Sequence, residues 1–137
     1  MMLNSDQVSN FDRDGFLIFR SLFSEQEVNI LREEANRIAN IDAECVIREG
    51  QSRAPKLLLR IHEIDGPTGS AIYYAASRLP KVLGASKQVL RDEKLYLHHS
   101  KINMKGAIEG SVWPWHQDFG QWHLDGITRP DLVTFMI

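Results

Sequence analysis

Apolar positions repeat at helical spacing through most of the first ninety residues, and after Lys94 they switch to alternation by two. The strongest helical stretch follows Ser24. SEQE offers a capping box through Ser24 and Glu27, and Val28, Leu31, Ala35, Ile38 and Ala39 fall on one face. A helix is predicted from about 25 to 40, with Glu27, Arg32, Glu33, Glu34 and Arg37 towards water. Upstream, SDQVSNFDRDG predicts a short opening helix with Ser5 or Asp6 as its cap and Gly15 as its stop. GFLIFR then predicts a strand.

CVI and LLLRI are candidate strands on either side of the polar REGQSRAPK, and GPTGS marks a turn. AIYYAASRL and residues 80–90 predict two further helices, the second opened by Pro80. Beyond Lys94, KLYLHHSKINMK, SVWPWHQD and VTFMI predict three extended segments, the first two separated by a turn at Gly106 to Gly110. Helices first and strands afterwards imply an antiparallel sheet system with helices packed outside it. The chain closes on the apolar DLVTFMI, read as a core strand, which leads us to expect the amino-terminal part of a larger fold.

The charge balance narrows the function classes. Sixteen basic residues against 18 acidic give a net charge of -2, and no basic run exists to follow a row of phosphates, which argues against nucleic acid. No apolar segment approaches the roughly 20 residues that cross a bilayer, and no basic-then-apolar leader opens the chain. A cytoplasmic location is the expectation. Cys45 is the only cysteine, which fits a small side chain in a reducing compartment.

Chemistry concentrates in WPWHQDFGQWHLDG, residues 113–126, with three Trp, two His and two Asp. On an extended chain His116 and Asp118 project from one face, about 6.5 Å apart along the strand, so both can reach one ion. Such a pair supplies two corners of the 2-His-1-carboxylate triad that holds Fe(II) with open positions. Spacing alone favours a satisfied histidine beside a solvated aspartate, and it is the surroundings that shift the reading. Trp113, Trp115, Phe119 and Trp122 are expected to form a dry aromatic wall, which makes an unligated charged pair costly. On the preceding strand His99, Lys101, Asn103 and Lys105 share a face. That face suits an anionic, oxygen-rich molecule, or else is an edge guarded by lysines. Two rival readings stay open: a non-catalytic β-sandwich or jelly-roll fragment that binds a ligand or partner, and a zinc hydrolase using His98, His99, His116 and Asp118. The adjacent His98 and His99 point to opposite faces of a strand, which counts against the second.

LYLHHSKINMK followed by SVWPWHQDFGQWHLDG resembles the phytanoyl-CoA dioxygenase family, especially its branch near ectoine hydroxylase, and DRDGFLIFRSLFSEQEV resembles that family's opening segment. The resemblance spans most of the chain, with little of it in 41–90. It implies an iron(II)- and 2-oxoglutarate-dependent dioxygenase that hydroxylates a small organic substrate. The implied fold is mainly β with flanking amino-terminal helices: part of a double-stranded β-helix, or jelly roll, without its carboxy-terminal half. One oxygenase domain would then run through 1–137, helical to about 90 and with its first core strands over about 94–137. His116 and Asp118 are the implied iron ligands, His99, Asn103 and Lys105 the implied cosubstrate residues, and Phe119 and Trp122 the implied substrate lining. His99 stands where the ectoine branch carries Gln, which leaves substrate identity open. The family's second His ligand and its carboxylate-anchoring Arg lie further downstream than this chain extends. The 137 residues alone are therefore expected to be inactive, and His123 is expected to be a surface or supporting residue.

Overall fold

The computed structural model describes residues 2–106 and 112–137. Five helices and three strands follow in the order α1 (Ser5–Asp14), α2 (Glu25–Ala39), β1 (Val46–Arg48), β2 (Pro55–Leu59), α3 (Ala71–Ala76), α4 (Pro80–Leu90), β3 (Lys101–Asn103) and α5 (Asp118–Trp122). Helix accounts for 36% and strand for 8%, which overturns the mainly β, jelly-roll expectation. The strands form a small open sheet with the order β1-β2-β3, antiparallel throughout.

Local chemistry explains the two long amino-terminal helices. Asn4 caps α1: its Oδ1 accepts from the Gln7 N–H at 2.8 Å, and the Gln7 Oε1 accepts from the Asn4 N–H at 3.0 Å. Gly15 ends the helix in the left-handed region at φ 79°, where a side chain would be strained, and its N–H donates to the Phe11 carbonyl. In α2 the Ser24 Oγ accepts from the Glu27 N–H at 3.2 Å, while the Glu27 Oε2 accepts from the Ser24 N–H at 2.7 Å. At its other end the Arg48 guanidinium, carried on β1, donates to the carbonyls of Ala39 and Ile41. A cation thus satisfies acceptors that the helix leaves unpaired and complements its dipole.

The described residues group into two compact units. One joins the stretch ending at Ile18 with Pro80–Leu95 and Val112–Ile137. In it α1 lies beside α4, and Leu3, Val82, Ala85 and Val89 are buried. The Gln88 amide clamps Leu3 at both ends, its Oε1 accepting from the Leu3 N–H at 2.6 Å and its Nε2 donating to the Leu3 carbonyl at 3.0 Å.

The other unit joins Phe19–Leu79 to the segment from Tyr96 and holds the sheet. Its core comprises Ile38 and Ala39 from α2, Val46, Leu58 and Ile61, with Ile41, Tyr73, Ile102 and Met104 packed around them. Ile38 and Leu58 are fully buried, which is worth about 1.5–3 kcal/mol for each side chain. The register places Leu58 opposite both Val46 and Ile102, so one sheet face turns to α2. Glu34, buried on α2, pairs with Arg37 and accepts a hydrogen bond from the buried Ser70, the cap of α3. The Arg37 hydrogen bond leads in holding the Glu34 carboxyl below its ordinary value, against the opposing effect of burial. Tyr73 donates from its hydroxyl to the Leu31 carbonyl at 2.7 Å, and burial pushes its phenol up to about 12.

Several predicted strands are absent. GFLIFR is not a strand: Phe16 and Ile18 are exposed, and among the described residues no strand pairs with this segment. SVWPWHQD contains no strand among its described residues, and VTFMI is likewise irregular. Of KLYLHHSKINMK only Lys101–Asn103 forms a strand, because β2 supplies partners there and nowhere earlier. Of the turn expected at Gly106 to Gly110, all but Gly106 lies outside the described residues.

Candidate metal centre and polar strand

His116 and Asp118 do come together, by a different route from the one the spacing implied. They do not share a strand. His116 lies in irregular chain, whereas Asp118 opens α5 after an extended Gln117 at φ -106° and ψ 122°. The His116 Nε2 stands 3.2 Å from the Asp118 Oδ1.

The other ring nitrogen gives this geometry its meaning. The His116 Nδ1 lies 2.8 Å from the Pro114 carbonyl oxygen, which can only accept. A proton therefore belongs on Nδ1, and Nε2 is the ring nitrogen turned towards the carboxylate. Two lone-pair donors at 3.2 Å repel unless a cation is shared between them, either a proton on Nε2 or a metal ion. Metal bonds of about 2.1 Å put neighbouring ligands of an octahedral ion about 3 Å apart. The pair therefore fits two adjacent positions of such an ion, and a backbone carbonyl fixes the tautomer as metal-bound imidazoles require. No group of three or more His, Cys, Asp and Glu side chains that could hold a metal occurs among the described residues.

The surroundings are wetter than the sequence implied. The side chains of His116 and Asp118 remain 57% and 38% exposed, so as a bare ion pair they would contribute little. Trp115 is fully exposed, so no dry aromatic wall closes over them. Phe119 and Trp122 are half-buried on α5. His123 caps that helix, tilts against the Phe119 ring at 5.6 Å and places its Nδ1 3.1 Å from the Ile127 carbonyl, a supporting and exposed position.

The polar strand belongs to the sheet-bearing unit. On β3 Lys101 and Asn103 are exposed and Ile102 turns inward, with Met104 inward and Lys105 exposed beyond it, so the alternation holds from 101 to 105. Earlier it fails: Tyr96 is 75% and Leu97 40% exposed. His99 is half-buried immediately before Ser100, and Ser100 is the residue that sequence reasoning missed. Its carbonyl accepts from the Arg60 N–H at 3.0 Å. Its hydroxyl accepts from the His62 N–H at 3.2 Å and lies 2.6 Å from the His62 Nδ1. These contacts pin the entry to β3 against the end of β2. Burial lowers the His62 pKa, which favours the neutral ring that can accept from the Ser100 hydroxyl. No spacing in the sequence signals this long-range pair.

The family profile described as Phytanoyl-CoA dioxygenase (PhyH) matches residues 11–137. The chain belongs to the phytanoyl-CoA dioxygenase family. Within that family it is 34% identical to the ectoine dioxygenase of Nocardia farcinica, over 98% of this chain and 45% of that protein. It is 35% identical to the L-proline trans-4-hydroxylase of Streptomyces griseoviridis, over 96% of this chain and 47% of that protein. A crystal structure of EctD from S. alaskensis with bound Fe superposes with a TM-score of 0.77 at 29% identity, covering 88% of this chain and 42% of that one. A second structure of that protein, with 2-oxoglutarate and 5-hydroxyectoine, matches equally well. The phytanoyl-CoA dioxygenase-like chain thus spans less than half the length of these relatives. Among its described residues no helix is long and apolar enough to cross a membrane.

Proposed function

We propose that this chain carries the first iron ligands and the cosubstrate strand of an Fe(II)- and 2-oxoglutarate-dependent dioxygenase that uses dioxygen to hydroxylate a small organic molecule. The observation that carries the reading is the approach of the His116 Nε2 to the Asp118 Oδ1 with Nδ1 committed to a backbone carbonyl. Family membership and the iron and 2-oxoglutarate in the S. alaskensis structures support it. His116 and Asp118 would hold the iron. When bound, the metal supplies dioxygen activation coupled to oxidative decarboxylation of 2-oxoglutarate.

This chain's own residues have narrower tasks. Asp118 offers a charged oxygen donor from the first turn of α5, and His116 offers a neutral nitrogen donor whose ring is oriented by Pro114. His99, Asn103 and Lys105 would face the cosubstrate, with Asn103 donating from its amide and Lys105 supplying positive charge to a carboxylate. Phe119 and Trp122 would line the substrate. With two protein ligands in hand, the 137 residues bind iron weakly and do not turn over 2-oxoglutarate by themselves.

Titration with Mn(II), a redox-stable stand-in, tests the metal pair by paramagnetic broadening of amide signals. Broadening centred on residues 115–119 that vanishes in His116→Ala and in Asp118→Ala is expected. Broadening centred elsewhere, or unchanged in both variants, would overturn the assignment.

A further inference from the structure

One titratable contact joins the end of β2 to the entry of β3 within the sheet-bearing unit. β2 ends at Leu59, and the chain turns at Arg60, whose φ of 59° lies in the left-handed region that a side chain enters at a cost. Most of what holds this turn does not titrate. The Thr68 hydroxyl donates to the Leu59 carbonyl at 2.6 Å, the Ser70 N–H to the Ile61 carbonyl at 3.1 Å, and the Arg60 N–H to the Ser100 carbonyl at 3.0 Å. The His62–Ser100 contact is different. There the Ser100 oxygen accepts from the His62 N–H at 3.2 Å and lies 2.6 Å from the ring Nδ1. A hydroxyl has one hydrogen to donate, and a neutral ring with its proton on Nε2 takes that hydrogen at Nδ1. A proton on Nδ1 removes this acceptor. The Ser100 oxygen then faces two N–H donors, and its own hydrogen must leave the contact.

The surroundings favour the neutral ring. Half-burial of His62 acts first, and the cations of Arg78, from the connection between α3 and α4, and of Arg60 act the same way, against the attraction of Glu63. Arg60 in turn engages both oxygens of Glu63. On the strand side Ser100 is flanked by His99 and Lys101. The His62 pKa therefore lies below its ordinary 6.5 in the folded chain. A group shifted this way contributes stability above its ordinary value, and the contribution is lost as pH falls through the lower folded value. We propose that His62 and Ser100 form an acid-released pin at the entry to β3. With the ring neutral, the pin holds that entry against the end of β2. A solvent proton taken up by Nδ1 loosens the entry, while the other end of the pairing, where the Met104 N–H donates to the Lys56 carbonyl at 2.8 Å, stays closed. The pin acts on the strand that carries Lys101 and Asn103, whatever that strand binds.

Amide hydrogen exchange of the 137-residue chain at about pH 7.5 and about pH 5 tests the pin, with the Arg60 amide reading the entry and the Met104 amide the other end. After correction for intrinsic exchange, protection at Arg60 should fall about five- to tenfold relative to Met104 at the lower pH, as loss of one neutral hydrogen bond implies. In His62→Asn, whose Oδ1 can accept from the Ser100 hydroxyl without titrating, the ratio should stay constant. Nitrogen-15 spectra of the native chain should show His62 protonated on Nε2 alone at neutral pH. A ratio that ignores pH in the native chain would overturn the pin, and so would the same fall in His62→Asn, which would assign the titration to another group. A ring protonated on Nδ1 at neutral pH would overturn it as well, since acid would then take no acceptor from Ser100. Equal losses at Arg60 and Met104 would also count against it, because they report loosening of the whole pairing.

Discussion

Truncating Leu58 to Ala tests the two-sidedness of the sheet, on which every assignment in the polar strand depends. Leu58 lies on the central strand, is fully buried, and is paired with Val46 on one side and Ile102 on the other. Its loss removes apolar contact and opens a cavity between two strands and α2, which fixed partners cannot fill. Such changes cost about 2–5 kcal/mol, a large share of the roughly 5–15 kcal/mol that stabilises a typical domain. Leu57, one residue earlier, faces the other way and is only half-buried, so Leu57→Ala should cost about 1 kcal/mol, in proportion to the smaller area withdrawn from water. Urea unfolding of both variants, followed by far-ultraviolet dichroism, reads the difference as a shift in midpoint at constant slope. Leu58→Ala should lower the midpoint at least twice as far as Leu57→Ala. Equal shifts, or a larger one for Leu57→Ala, would refute the facing derived from the register, which puts Leu57 and Asn103 on the face away from α2.

Two further outcomes follow from the same unit. Glu34 titrates below its ordinary value of 4.5 in the folded chain, chiefly through Arg37, so its contribution to stability is present above that value and is lost as pH falls through the lower folded value. Between about pH 6 and pH 3 the native chain should therefore lose more stability than Glu34→Gln, measured as the difference between their thermal midpoints. Gly69→Ala should destabilise strongly or prevent folding, because an added Cβ would lie 2.2 Å from the Glu63 carbonyl oxygen and 2.5 Å from that of Ile64, both backbone atoms. A melting temperature unchanged by Gly69→Ala would show that the 63–69 turn is not packed as described.

What the sequence made legible was what local chemistry decides. The SEQE box set the start of α2, and the Gly15 stop was correct because a left-handed cap needs no distant partner. The cap of α1 is Asn4 rather than Ser5 or Asp6; the readable signal was Asn4 with Gln7 three residues on, the same box in another pair of residues. Strands were less legible because an apolar run becomes a strand only when another strand accepts its backbone groups. GFLIFR and VTFMI have the composition but not the pairing, whereas LLL and KIN found each other. Residue type and spacing singled out His116 and Asp118, which the structure sets 3.2 Å apart, whereas the helix that opens at Asp118 was not read from the sequence. The pairing of Leu57 with Asn103 and of Leu59 with Lys101, like the His62–Ser100 clip, exists only once the register is known.

The central claim is that His116 and Asp118 present two iron ligands in a chain that also receives 2-oxoglutarate. Anaerobic addition of Fe(II) and 2-oxoglutarate to the 137-residue chain, read as the weak visible charge-transfer band of the chelated metal, tests it most directly. The account predicts a band at high metal and cosubstrate concentration that is lost in His116→Ala and in Asp118→Ala. A band of equal strength in all three proteins, or none in any of them under saturating conditions, would contradict it.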